Sequence, residues 1–203
     1  PGPCVYMEKI AVGPQAAGVI DITQSPSENI NRVAEAKGSR PGDVTVLILA
    51  RPRHDDLVAE VRSTGARIHS ISDGDVAGAI ATAWPTSSVD ILFGIGGTPE
   101  GVIAAAAMKC LRGELHGRLW PRNDDERTAA LEAGYDLDKV LTQDDLVRGD
   151  NCFFAATGIS DGELLEGVKF SAAGARSQSL VMRSTSGTVR VVETHHRADR
   201  MHV

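Results

Sequence analysis

Apolar positions along this chain follow two periods, one of strands and one of helices. Val5-Tyr6-Met7-Glu8-Lys9-Ile10-Ala11-Val12 reads as a strand with alternating faces. Ser25-Pro26-Ser27-Glu28 has the S-x-x-E capping spacing with proline at the first helical position. With apolar residues recurring through Ile30, Val33 and Ala34, it predicts a helix over 26–37 stopped by Gly38. Beyond the Pro41-Gly42-Asp43 turn, residues 44–50 are almost unbrokenly apolar, which predicts a strand covered on both faces. The pattern then predicts a helix over 54–64 closed by Gly65, a strand over 67–71, a helix over 76–83, a strand over 89–93 and a helix over 99–111. Alternation of this kind builds a parallel sheet through right-handed crossovers.

The last third changes character. Residues 123–133 are charged and helix-prone, 143–148 predict a short helix, and 151–157 predict a buried strand. Residues 179–185 and 188–194 alternate around Ser186-Gly187, the spacing of a hairpin. There is no internal repeat, low-complexity segment or linker, so the expectation is one α/β unit over 1–203, a largely parallel sheet followed by a carboxyl-terminal hairpin. Pro1 precedes a strand already under way. A removed methionine or tag accounts for this start, and so does a cut in a longer protein.

Composition narrows the class. A chain of 203 residues with 42% hydrophobic content can fill a core. The net charge of -6 argues against a nucleic-acid partner, which calls for a basic face, so any cationic site must be local. Cys4, Cys110 and Cys152 are odd in number and lack CxxC spacing, which argues against a disulfide framework or a zinc site and favours a reducing cytosol. With no apolar run long enough for a membrane span and no signal-peptide pattern, a cytoplasmic location without membrane attachment is expected.

Candidate chemistry sits at three strand-to-helix junctions, the places where open α/β sheets bind ligands. Arg51-Pro52-Arg53 presents two guanidinium forks in a relation set by proline, suited to phosphate; the same arginines can instead pair with Asp55, Asp56 or solvent. Asp73-Gly74-Asp75 can accept sugar hydroxyls, or serve only as a turn and helix cap. Gly94-Ile95-Gly96-Gly97-Thr98-Pro99-Glu100-Gly101 ends a strand in glycines and opens a helix with a carboxylate. Glu100 either complements the helix dipole or holds a metal beside an anion. One glutamate cannot satisfy octahedral Mg2+ by itself. Gly94-Ile95-Gly96-Gly97 supplies only part of a dinucleotide fingerprint, and no protein nucleophile stands out.

These residues resemble the class II fructose-1,6-bisphosphatases. The resemblance is carried by Val5-Tyr6-Met7-Glu8-Lys9-Ile10, Ile48-Leu49-Ala50-Arg51-Pro52-Arg53-His54-Asp55, Asp73-Gly74-Asp75-Val76 and the 94–101 segment. Gly117-Arg118-Leu119, Phe154-Ala155-Ala156-Thr157-Gly158-Ile159 and Leu180-Val181-Met182-Arg183-Ser184 extend it. It implies the layered α/β architecture shared with inositol monophosphatases, and metal-dependent removal of the 1-phosphate of fructose 1,6-bisphosphate. It implies substrate contacts at Tyr6, Arg51, Pro52, Arg53, Asp73, Gly74, Asp75 and Gly97, and a ligand for Mg2+ or Mn2+ at Glu100. Arg51 stands where members often have lysine, and Thr98 where alanine is common. The resemblance covers roughly the carboxyl-terminal two thirds of the family sequence, and most metal carboxylates would precede Pro1; poor activity of these residues alone is therefore expected. A homo-oligomer acting on a small sugar bisphosphate is the expected form. A non-catalytic sugar-phosphate-binding module and a nucleotide-binding domain are the alternatives.

Overall fold

The computed structural model describes residues 2–200, so the reading of the start at Pro1 lies outside the described residues. The elements run β1 (Tyr6–Val12), α1 (Pro26–Ala36), β2 (Thr45–Leu49), α2 (Asp55–Ser63), β3 (Arg67–Ile71), α3 (Asp75–Ala83), β4 (Ile91–Gly97), α4 (Thr98–Leu111) and β5 (Glu114–Trp120). They continue with α5 (Asp124–Glu132), β6 (Leu141–Thr142), α6 (Gln143–Leu146), β7 (Phe153–Thr157), β8 (Lys169–Ser171), β9 (Gly174–Arg183) and β10 (Thr188–Arg197).

The first six strands form one sheet in the order β3-β2-β4-β1-β5-β6. β2 is parallel to β3 and β4, while β1 is antiparallel to both β4 and β5. It follows that β2, β3, β4 and β5 all point the same way. The expected largely parallel sheet is present, with β1 and the two-residue β6 reversed. All four parallel strands end at one edge, and β1 begins there, with Tyr6 opposite both Gly97 and Trp120.

Residues of alternate parity along the strands build two separate cores. Ile10 and Val12 of β1, Val46 and Ile48 of β2, and Ile91 and Phe93 of β4 pack on Ile30, Val33 and Val61 of α1 and α2. From the same strands, Ala11, Leu47, Leu49 and Leu92 face Ala79 of α3 and Ala104, Ala105 and Met108 of α4. Gly78 lets α3 approach closely, since a Cβ there would lie 2.8 Å from both Leu47 Cδ2 and Leu92 Cδ1. The far side of α3 and α4, with Ile80, Ala107 and Cys110, packs on Phe154, Leu180 and Met182 of a second, antiparallel sheet in the order β10-β9-β7, with β8 on β9. The layers are therefore helix, sheet, helix, sheet.

The structure departs from the sequence expectations at four points. β4 runs through Gly97 instead of stopping near Phe93, because antiparallel pairing to β1 continues as Met7 opposite Gly96 and Tyr6 opposite Gly97. β5 was not foreseen: its only buried positions are Leu115 and Gly117, too short an apolar alternation to mark a strand. In the second sheet, β7 is buried only at Phe154, and the hairpin register of Thr188 opposite Arg183 makes the connection four residues, 184–187.

Candidate functional site

The first junction leaves β2 at Leu49. Arg51 is extended, at φ −139° and ψ 142°, as a residue before proline must be, and Pro52 opens a short 3-10 turn that delivers His54 inward. His54 is 1% exposed. The backbone N–H of Ile95 donates to its Nε2 at 2.9 Å, so Nδ1 carries the proton and donates to the Leu49 carbonyl at 2.7 Å. Burial pushes the His54 pKa below its ordinary value, outweighing the Leu49 bond, which acts the other way. A neutral ring thus ties the first junction to β4.

That tie sets the arginines. Arg53 donates from Nε and Nη2 to the Ile95 carbonyl at 3.0 and 2.6 Å, and its guanidinium lies 5.2 Å from the centre of the Tyr6 ring. Arg51 donates from Nη2 to Asp73 Oδ1 at 2.6 Å and from Nη1 to the Ala50 carbonyl at 2.9 Å. Neither arginine pairs with Asp55 or Asp56 among the described residues.

At the second junction Gly74 sits at φ 93° and ψ 53°, left-handed backbone that suits glycine, directly before α3. The turn sends its two carboxylates to different places. Asp73 points into solvent toward Arg51, whereas Asp75, 13% exposed, is ion-paired with the buried Lys9 of β1. Lys9 also donates to the Gly97 carbonyl at 3.0 Å.

At the third junction Gly97 precedes α4 with an ordinary φ of −58°. A Cβ there would overlap the Glu100 carboxylate, which folds back over the start of its own helix. Thr98 anchors that start to the chain before β1: its N–H donates to the Val5 carbonyl at 2.8 Å and its hydroxyl to the Cys4 carbonyl at 3.1 Å. The hydroxyl that distinguishes Thr98 from alanine is therefore buried and bonded. Among the described residues no three His, Cys, Asp or Glu side chains are grouped to hold a metal ion. Glu100 is an exposed carboxylate that can contribute one ligand, short of the octahedral oxygen set a Mg2+ ion requires.

The structure brings Tyr6, Arg51, Pro52, Arg53, Asp73, Gly74, Asp75, Gly97 and Glu100 to the same sheet edge. It does not enclose them in a single cavity. Arg53 lines a cleft of about 240 Å³ with Glu8, Asp56, Glu60 and Phe93, while Asp73 and Gly74 border an open hollow of about 750 Å³ beside 160–163. The edge between β2 and β4 is also where the connections part, α2 leaving β2 toward β3 on one face of the sheet and α4 leaving β4 toward β5 on the other. Ligand crevices form at such switch points.

Two side chains at the site escaped the sequence reading. Lys9 is one; its signal is a lone charge on a strand parity otherwise occupied by Met7 and Ala11. Arg122, just past the unforeseen β5, places its guanidinium 5.4 Å from the Tyr6 ring centre, so two arginines border that tyrosine.

The family described as bacterial fructose-1,6-bisphosphatase, glpX-encoded, matches residues 1–196. The chain belongs to this family. It is 42% identical over 211 residues to fructose-1,6-bisphosphatase 1 class 2 of Escherichia coli K12, an overlap covering 98% of this chain and 63% of that relative. The class 2 fructose-1,6-bisphosphatases of Escherichia coli O6:H1 and Shigella flexneri match to the same extent. The chain thus spans 63% of the length of these curated relatives. No helix among the described residues is long and apolar enough to cross a membrane.

Proposed function

We propose that this chain carries the substrate-holding edge of a fructose-1,6-bisphosphatase, converting fructose 1,6-bisphosphate and water into fructose 6-phosphate and inorganic phosphate as a cytoplasmic step of gluconeogenesis. The supporting observation is that Arg51, Arg53, Asp73, Asp75, Gly97 and Glu100, from three separate junctions, share one sheet edge at its switch point.

Arg53 reaches its position without substrate. Two of its five N–H donors are spent on the Ile95 carbonyl and its face rests on Tyr6, leaving three donors aimed outward for phosphate oxygens. Arg51, held by the Ala50 carbonyl and Asp73, adds a second fork; together the two hold the phosphate that is not cleaved. Asp75 commits one oxygen to Lys9 and keeps the other for a sugar hydroxyl, and Asp73 does the same beside Arg51. Gly97 keeps the approach to Glu100 open.

A divalent cation, Mg2+ or Mn2+, is the cofactor in this reading; Glu100 supplies one oxygen ligand, and the bound ion contributes charge that polarises the phosphoryl group. Water forms the new bond to phosphorus, and the sugar oxygen leaves with a proton. No protein nucleophile is required, because orientation and fixed charge carry most of phosphoryl transfer.

Phosphate release from fructose 1,6-bisphosphate by the full natural chain tests this. Glu100→Gln is expected to lower turnover on the order of a hundredfold, the cost of losing one preorganised charge. Its thermal midpoint should match the parent's. Unchanged turnover removes Glu100 from the site, and no phosphate release from the parent with either metal removes the activity.

A further inference from the structure

A lysine in the middle of a buried strand calls for a reason. Lys9 is 3% exposed and shares its strand face with Met7 and Ala11, both fully buried. Burying an ammonium group is costly unless it is paired and hydrogen-bonded, and an apolar side chain would serve packing at least as well. Lys9 is paired, and its partners are the point of interest. One is the Asp75 carboxylate, at the start of α3; the other is the carbonyl of Gly97, at the end of β4, 3.0 Å away. Both are residues given substrate contacts above, and they reside on different elements. The backbone makes room for the pair. A Cβ on Gly96 would overlap the Asp75 carboxylate and come within 3.1 Å of Lys9 Nζ.

We propose that Lys9 is a positioning residue for the sugar side of the site: one ammonium, held by β1, fixes both the Asp75 carboxylate and the Gly97 turn. The proposal rests on the fructose-bisphosphatase reading. Asp75 reaches its position at the end of a left-handed glycine, Gly74, where rotation about one residue would swing the carboxylate away. Lys9 removes that freedom. By occupying one carboxylate oxygen it also decides which oxygen faces the substrate. Because Glu100 rests on Gly97, the same ammonium indirectly sets the backbone beneath that carboxylate.

The test uses the full natural chain, with fructose 1,6-bisphosphate and Mg2+ as probes, well below the thermal midpoint of each variant. Lys9→Met keeps length and removes charge. The expected result is a KM about tenfold higher with a smaller change in kcat. Asp75→Asn should raise KM comparably, and adding Lys9→Met to Asp75→Asn should raise it no further, since residues acting through one contact are not additive. A folded Lys9→Met with unchanged KM overturns the proposal while the parent's hydrolysis keeps the function reading intact. A parent that releases no phosphate ends both. If Lys9→Met alone fails to fold, the double variant, which neutralises both partners, is compared with Asp75→Asn: equal KM values support the proposal, and a further rise shows that Lys9 acts by another route.

Discussion

Two glycines of the site do different jobs. Gly74 is required by its backbone, which is left-handed, and Gly97 by its neighbour, since its φ of −58° suits any residue. The same substitution should therefore separate them. Gly97→Ala is expected to change stability by about 1 kcal/mol or less, as for other cap replacements, yet to lower turnover, because the new methyl displaces the Glu100 carboxylate. Gly74→Ala should lose stability of about 1–2 kcal/mol from the strained backbone. Urea unfolding beside phosphate release distinguishes the two; a Gly97→Ala enzyme of full activity would mean that the Glu100 position is not used. At this scale Arg53, Asp73 and Glu100 stood out in the sequence as charges at strand ends, each with a local role as its alternative; the structure places them on one sheet edge, and their contacts with substrate and metal are part of the proposal. Lys9 was not legible: its partners lie 66 and 88 residues away, and strand periodicity alone reveals no partner.

Elements meet at His54, whose ring joins the end of β2 to the middle of β4. Its proton-free Nε2 accepts the Ile95 N–H, so a protonated ring cannot make that bond. Burial depresses the folded pKa below the unfolded value of 6.5. The unfolded chain then binds the proton more readily, so stability is intact above that unfolded value and declines as pH falls below it, by up to about 1.4 kcal/mol per pH unit until the folded pKa is reached. Urea midpoints at about pH 7.5 and about pH 5.5 should show this loss in the parent and a smaller one in His54→Asn, once the general acid sensitivity common to both is subtracted. Equal losses would mean that His54 is not held neutral. The helices of the parallel half were legible from capping and period: α1, α2, α3 and α4 each begin and end within a residue of the expected bounds. The reach of β4 was not, because glycine reads locally as a turn and only pairing with β1 makes it strand.

The molecule as a whole is acidic, with 27 carboxylate residues against 21 lysines and arginines, and the edge where the parallel strands end sets Arg51, Arg53 and Arg122 among the carboxylates of Asp73, Asp75, Glu100 and Glu126. Each arginine carries its charge near solvent, within reach of mobile ions. A bisphosphate approaching that edge is attracted locally and repelled by the remainder of the surface, and salt weakens both effects. Attraction at contact distance rests on Arg53, which has no carboxylate partner among the described residues, whereas Arg51 is paired with Asp73 and Arg122 with Glu126; charges beyond the edge act across a span comparable to the Debye length of about 10 Å at 0.1 M salt. Raising ionic strength from about 0.02 M to about 0.5 M should therefore increase KM for fructose 1,6-bisphosphate several-fold and leave kcat nearly unchanged. Arg53→Gln should raise KM at low salt and flatten that dependence, since one of the screened charges is gone. The parent's KM staying constant across the range would mean that the phosphate is not held by these exposed guanidinium groups, and the substrate would then have to sit deeper, toward Lys9 and Asp75.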